Sequence, residues 1–447
     1  MAADAAAGSA ALAERGSPVD RLLRVFSDVR PGEGGTALLM TFNLFLLMVG
    51  YYVMKTVREP LILVGGGAEM KSYAAAAQAL VLMGFVPLYS WFSSRVDRMR
   101  LITGVLVFFI VCIEVFYAGA LAGVPFLGFV FYVWVGIFSL ASIAQFWSYG
   151  NDVYDRPTGE RLFPIVQVGA TAGSPLGALI AQGLFDAGVR PYTMFHITAA
   201  LLAVHLVLYF VVERREAGRR SSAQTRAQEP LAGPGGFTLL LRSPYLRLMA
   251  VLLLVLNVVN TTGEYLVGRS LLDAIERAGA TSEAAQESIV GAFYGGYNFW
   301  VSVAAVALQA FVVSRLVKYF GIGGVVLALP LVALGTYGVA AAGVGLMALR
   351  WAKTAENATD YSVMNTGRQM LWLPTRREEK YKAKQAADTF VVRSGDMLSA
   401  ALVFAGTTWI GLGVRGFALV NLGIIVVWLF VALLLVRRYR SLASQGA

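Results

Sequence analysis

Twelve long apolar stretches run through this chain, at roughly 37–57, 73–93, 101–122, 125–149, 162–186, 192–212, 247–268, 288–313, 321–342, 344–372, 389–411 and 415–436. A helix that crosses a bilayer needs about 20 such residues, because the hydrocarbon layer is about 30 Å thick and a helix rises about 1.5 Å per residue. The expectation is an all-α membrane protein with twelve transmembrane helices. Composition agrees. Of 447 residues, 57% are hydrophobic and 14% charged, against about 45–50% and about 25% in soluble domains. A soluble enzyme, a disordered scaffold and a nucleic-acid-binding domain are thereby excluded. With Cys112 as the one cysteine, no intrachain disulfide or cysteine-based zinc site can form. The two histidines, His196 and His205, cannot build a metal centre alone.

The net charge is +10, from 37 basic and 27 acidic residues. Its distribution matters more than its size. If both termini share one side, 26 of the 37 basic residues fall there. The opposite loops carry Lys71, Arg190, Arg277 and Arg415. The positive-inside bias then puts both termini in the cytoplasm, at the inner membrane of a bacterium. Residues 1–36 form a cytoplasmic N-terminal segment without the basic-then-apolar pattern of a cleaved signal peptide. Within it, Asp20 to Arg30 fits either a short amphipathic surface helix or a solvated tail. The longest polar loop, 213–246, reads as a cytoplasmic linker between a six-helix half at 37–212 and another at 247–436, with a tail at 437–447. This division, with the basic turn SSRVDRMR (93–100), resembles the major facilitator superfamily. That resemblance implies a substrate bound between the halves at mid-depth.

Ionisable groups inside spans are costly and mark function or structural pairing. In GYYVMKTVREPLIL, Lys55, Arg58 and Glu59 share a helical face. Lys55 and Glu59 can pair, leaving Arg58 positive. The cluster either meets an anionic substrate, with Tyr51 and Tyr52 alongside, or forms an interfacial salt-bridge group at the outer mouth. In span seven, Asn257, Thr261 and Glu264 share a face that belongs on a cavity. In span ten, Lys353, Glu356, Asn357, Asp360, Met364 and Arg368 form a stripe about 22 Å long. It either lines a translocation path or closes a gate through the pairs Lys353–Glu356 and Lys353–Asn357. Arg368 has no evident local carboxylate, which favours a phosphate or carboxylate contact. Asp152 reads as a gate or helix-terminus pair, and Arg393 with Asp396 as a structural pair. Glu114 is either a proton site or the partner of a base on another helix. Gly169, Gly173 and Gly177 repeat every four residues, as in a tight helix contact that slides between the halves. Gly65-Gly66-Gly67 reads as a turn. No GxxxxGK[ST] occurs, and no serine elbow, HExxH or paired-cysteine motif. Neither an ATP-driven pump nor an enzyme is indicated, and no cofactor or metal is implied.

Three stretches resemble the nucleotide-exchange translocases, the plastid and intracellular-bacterial ATP/ADP exchangers and their bacterial relatives. They are GYYVMKTVREPLIL (50–63), QFWSYGNDVYDRPTGERLFPIVQVGATAG (145–173) and KTAENATDYSVMNTGRQMLWLPTRREEKYKAKQAADTF (353–390). The resemblance implies basic substrate contacts late in spans one and ten and acids in spans four or five and seven. Here Arg58, or else Lys55, falls on the first basic position, Arg368 on the second and Glu264 on the span-seven acid. Span four has no matching acid, and arginine replaces lysine in span ten. Both departures place the chain with the broader bacterial branch.

The leading expectation is a secondary transporter that exchanges an anionic phosphorylated solute, most simply a nucleotide, by alternating access. Arg58, Lys55, Glu264, Lys353, Arg368 and Asn357 are its candidate substrate contacts. Glu59, Glu356, Asp360, Asp152, Arg393 and Asp396 are its candidate gates or ion pairs. Its partners are the solute and the lipid bilayer, without nucleic acid. The oligomeric state stays open, a monomer being one option. Two other readings stand beside it. One is a proton-coupled symporter of another solute, with Glu114 or Glu264 carrying the proton. The other is a non-transporting scaffold or sensor that docks a partner on its basic loops.

Overall fold

A computed structural model describes residues 17–25, 27–93, 95–217, 236–376 and 379–445. Most of the expected linker and the first sixteen residues lie outside them. Every regular element among the described residues is helical, and ten helices are long and apolar enough to cross a membrane.

The short helix α1 (Pro18–Leu23) opens on a capping box between Ser17 and Asp20. The buried Asp20 carboxylate also accepts from the backbone N–H of Gly32 at 3.0 Å and of Gly34 at 2.8 Å. The segment is thus docked against the start of α2 and is not a solvated tail. Helix α2 (Gly34–Ser93) spans 60 residues. Unbroken, it would be about 90 Å long, three times the hydrocarbon thickness. It breaks at Gly67, where φ 79° and ψ 177° leave the helical region, a conformation open to glycine for want of a Cβ. The expected turn is therefore a one-residue kink. Residues 68–93 continue at once as helix, and Lys71 is an inward helical residue and not a loop residue.

Helices α3 (Arg98–Leu121), α4 (Leu127–Val153), α5 (Arg156–Asp186) and α6 (Met194–Glu216) follow. After α7 (Gly236–Arg242) come α8 (Pro244–Arg277), α9 (Glu283–Phe311) and α10 (Val313–Ala342). Asp155, Ser243 and Ser282 cap the starts of α5, α8 and α9 by accepting backbone N–H bonds. Gly321, at φ 60°, breaks α10 at the boundary expected for span nine. Next, α11 (Leu346–Thr359) runs through a widened π turn at Asp360–Met364 into α12 (Asn365–Leu371). This rod carries Arg350, Lys353, Glu356, Asp360 and Arg368, and its charge sets it apart from the ten apolar helices. Helices α13 (Lys384–Ala386) and α14 (Val392–Ala405) belong to a rod that is also interrupted by π turns, and α15 (Val414–Gln445) ends the chain.

Apolar side chains form two main clusters. One draws on residues 23–212, the other almost wholly on residues 240–436. The glycine repeat of α5 packs inside the first. A Cβ at Gly169 would overlap the Thr41 carbonyl, and at Gly173 and Gly177 it would come within 2.6 Å of the carbonyls of Phe45 and Val49. The repeat therefore fixes α5 to α2 and does not slide between the chain's two portions. The tight contact between portions is made elsewhere, where Gly291 and Gly295 of α9 meet Phe185 and Gln182 of α5.

Candidate functional site

The bundle has two ends. At the near end lie the docked N-terminal segment, with Glu33 on Arg161 at 2.9 Å, and the starts of α2 and α8. At the far end lie Gly67, Arg190 and Glu287. Among the described residues, the polar contacts between the N-terminal and C-terminal portions gather at the far end and mid-depth. Arg269 meets Glu69 at 3.0 Å and Arg190 meets Glu287 at 3.3 Å. Tyr265 donates to Glu69 at 3.0 Å. Thr56 and Asn298 meet at 3.4 Å.

Deeper in, Lys71 is the centre of a buried cluster. Its ammonium lies 2.7 Å from Glu59 and 3.6 Å from Glu264, and donates to the Tyr294 hydroxyl at 3.2 Å. Glu264 accepts from Tyr297 at 3.1 Å and from Asn357 at 2.9 Å. Glu59 also holds Arg58 at 3.0 Å, and the Arg58 guanidinium lies 4.4 Å from the centre of the Tyr132 ring. The expected Lys55–Glu59 pair is absent because Lys71 and Arg58 occupy that carboxylate. Lys71 had read as an outer-loop residue. Its partner Glu264 is 193 residues away, and no local spacing could reveal it.

Other candidate residues pair as well. Lys353 is fully buried and donates to Glu356 at 2.6 Å and to the Asn260 side chain at 2.7 Å. Its expected contact with Asn357 is replaced by the bonds of Asn357 to Glu264 and Tyr297. Arg368 does have a carboxylate partner, Asp360 at 3.4 Å, reached across the π turn. Arg393 meets Asp396 at 3.5 Å as the spacing suggested, and Asp396 also accepts from Asn257 and Thr261 at 2.8 Å each. At the near end Asp152 pairs with Arg98 at 2.6 Å. Glu114 pairs with His196 at 3.1 Å, so it is not alone.

Lys55 is the exception among the candidate substrate contacts. Its ammonium sits 5.0 Å from the Tyr52 ring and 5.7 Å from the Tyr361 ring, with no carboxylate in ion-pair distance among the described residues. Across the central zone Lys55, Arg58, Lys71, Lys353, Arg368 and Arg393 face Glu59, Glu264, Glu356, Asp360 and Asp396. Among these eleven groups one positive charge is in excess, and geometry assigns it to Lys55; Arg350, toward the far end, also has no carboxylate partner among the described residues and rests against the Phe293 and Trp351 rings. Lys55 lines a cavity of about 430 Å³ between the two portions, with Tyr51, Gln167 and Ser174 on one side and Ser302 and Tyr361 on the other. Arg58 instead faces a smaller cavity of about 140 Å³, shared with Lys71, Arg393 and Asp396.

No family model matches the chain. Over 87% of its length it is 22% identical to ADP,ATP carrier protein 1 of Chlamydia trachomatis, covering 86% of that protein. It is 23% identical to the protein of the same name from Chlamydia muridarum, over 80% of this chain and 79% of the other. The chain is a relative of the ADP,ATP carrier proteins. Among solved structures, a variant of the nucleoside transporter NupG superposes with a TM-score of 0.68 at 12% identity, covering 90% of this chain and 99% of that one. A bacterial homologue of the iron transporter ferroportin, in an inward-facing state, gives 0.65 at 13% identity, covering 90% and 98%. The fold of this carrier relative is that of the major facilitator-like transporters. The Lys55 cavity lies between α2, α5, α9 and the π turn that follows α11.

Proposed function

We propose that this chain is a secondary transporter that exchanges an adenine-nucleotide-type anion across a bacterial inner membrane by alternating access. The carrier relatives support the substrate class. The observation that carries the reading is the unmatched Lys55 ammonium in the cavity between the two portions. An uncompensated cation inside a membrane is costly, and an entering phosphate relieves that cost. The membrane count on this reading is twelve. The 60-residue α2 supplies two spans on either side of Gly67, and the rod Leu346–Leu371 supplies the tenth. Six spans lie in each half, with both termini cytoplasmic. Lys55 is then the first anion contact, and Arg58 and Arg368, expected as substrate contacts, become supporting charges. The Lys71, Glu59 and Glu264 cluster closes the outer end, and the central cavity faces the cytoplasm.

The test is flux in proteoliposomes holding the purified protein. Vesicles preloaded with ADP should take up labelled ATP much faster than empty vesicles. Equal uptake into empty vesicles, raised only by an inward proton gradient, would replace exchange by symport. Absence of flux in every arm would leave a transporter fold without transport.

A further inference from the structure

A second cleft adjoins the Lys55 cavity on its near-end side. It measures about 740 Å³ and is lined by Trp147, Asn151, Tyr154, Asp155, Glu160 and Phe163, and by Gln167, which also lines the Lys55 cavity. Phe163, Gln167, Ala170, Thr171 and Ser174 follow spacings of three and four on α5, so one helical stripe runs from one chamber to the other. From Phe163 to Thr171 the stripe covers about 12 Å.

The two chambers differ in chemistry. The inner one holds an unpaired ammonium. The near-end one holds aromatic rings and acidic groups and has no basic side chain among those lining it. Trp147 and Phe163 meet edge to face at 5.5 Å, and Tyr154 meets Phe163 at 5.8 Å. Phe163 is seated by two glycines: a Cβ at Gly159 would lie 3.0 Å from its ring and one at Gly150 3.4 Å. The Tyr154 hydroxyl is buried without a hydrogen-bond partner, and the exposed Asn151 amide has none among the described residues. Carboxylates at the rim repel phosphate and accept from amino groups. Rings stack with any base. An asparagine amide can both donate to a purine ring nitrogen and accept from an adjacent exocyclic amine, which is the pattern of adenine.

We propose that this cleft is a nucleobase subsite, with Trp147 and Phe163 as the stacking shelf and Asn151 reading the edge of an amino-bearing purine. A nucleotide would lie along α5 with its phosphates at Lys55 and its base at Trp147. The proposal rests on the anion-exchange reading of the same cavity but makes a separate claim about base recognition.

Competition by ATP, GTP and tripolyphosphate against labelled ADP, on purified protein in detergent, tests it. ATP should compete better than GTP. Trp147→Ala should weaken ATP about tenfold and leave tripolyphosphate unchanged, because the polyphosphate has no base to stack. Trp147→Phe should restore most of the ATP affinity, which separates a missing ring from a collapsed helix end. Asn151→Ala should reduce the preference for ATP over GTP. Equal affinity of wild type for ATP and tripolyphosphate would overturn the subsite while leaving anion exchange intact. So would parallel losses for both ligands in Trp147→Ala. Absence of binding by all three, with no ADP binding to compete against, would overturn both readings.

Discussion

Lys71 is 4% exposed and holds the far end closed, so its removal should open that end by a calculable amount. When the two portions separate, the Lys71–Glu59 contact at 2.7 Å stays within one portion. Only the contacts to Glu264 at 3.6 Å and to the Tyr294 hydroxyl at 3.2 Å are lost. A hydrogen bond to a charged group contributes about 1.5–3 kcal/mol, and a shift of about 2 kcal/mol changes a two-state ratio about thirtyfold. Ser72 is the reporter. It is 3% exposed and lines the small cavity beside Lys71. In a Cys112→Ala background, Ser72→Cys should react slowly with a maleimide in detergent, and adding Lys71→Met should raise the rate about thirtyfold. Glu264→Gln alone should also raise it. The double variant should rise no further than the larger single, because both substitutions break one shared contact. A labelling rate within twofold of the parent in Lys71→Met would refute the lock, and additive effects would refute direct pairing.

Four further outcomes are expected. Lys55→Gln should weaken binding of ADP about tenfold to a hundredfold by loss of a charge-assisted contact, measured by calorimetry, while Arg58→Gln should act mainly on melting temperature. Gly169→Ala should cost about 1–3 kcal/mol of stability by overpacking against the Thr41 carbonyl, read as a lower melting temperature, whereas Gly335→Ala, with open space around it, should not. Burial pushes the Asp20 carboxyl up, but hydrogen bonds from the Gly32, Ser17 and Gly34 backbone outweigh it and hold it down at about 2. A folded value below the unfolded one means the docking of α1 is fully stabilised above about pH 4 and lost as pH falls toward 2. Amide exchange at residues 32–34 should therefore quicken in that window and not between pH 5 and 7. Finally, Ser222→Cys in intact cells should be protected from an impermeant thiol reagent if the linker is cytoplasmic.

Much of the architecture was legible because it depends on composition and period. Helix positions followed from apolar runs, and the expected start of span nine at 321 coincides with the break at Gly321. Pairs at short spacing on one helix, Lys353–Glu356 and Arg393–Asp396, could be read directly. What failed were contacts set by the partner helix. Arg368 seemed unpartnered because an α-helical count puts Asp360 two turns back, and the π turn between them was not visible in the residues. The α5 glycines signalled close approach but not which helix approached. Lys71 was misplaced because a triple glycine normally ends a helix, and here it spends one residue on a kink. Trp147 and Phe163 were quoted only within a family-like stretch, since two aromatics on different helices form a shelf only after α4 and α5 pack.

The two ends of the bundle carry different electrostatic consequences, and this asymmetry bears on why exchange is proposed over one-way transport. Opening the far end separates Lys71 from Glu264 but leaves both with a partner, since Lys71 keeps Glu59 and Glu264 keeps Asn357 and Tyr297, while the rim pairs Arg269–Glu69 and Arg190–Glu287 part into water. That step is therefore indifferent to cargo. Closing the near end is not. It must enclose the chamber around Lys55, whose neighbours are tyrosine rings and uncharged side chains. Withdrawing an unpaired ammonium from water costs several kcal/mol even after relaxation, while ring contacts return about 0.5–2 kcal/mol. A residual barrier of about 3 kcal/mol slows the empty carrier more than a hundredfold. A bound phosphate supplies the missing negative charge and removes that barrier. The loaded protein then crosses in either direction, and the unloaded one waits with its cavity open at the near end, so cargo leaving on one side must be replaced before the carrier returns.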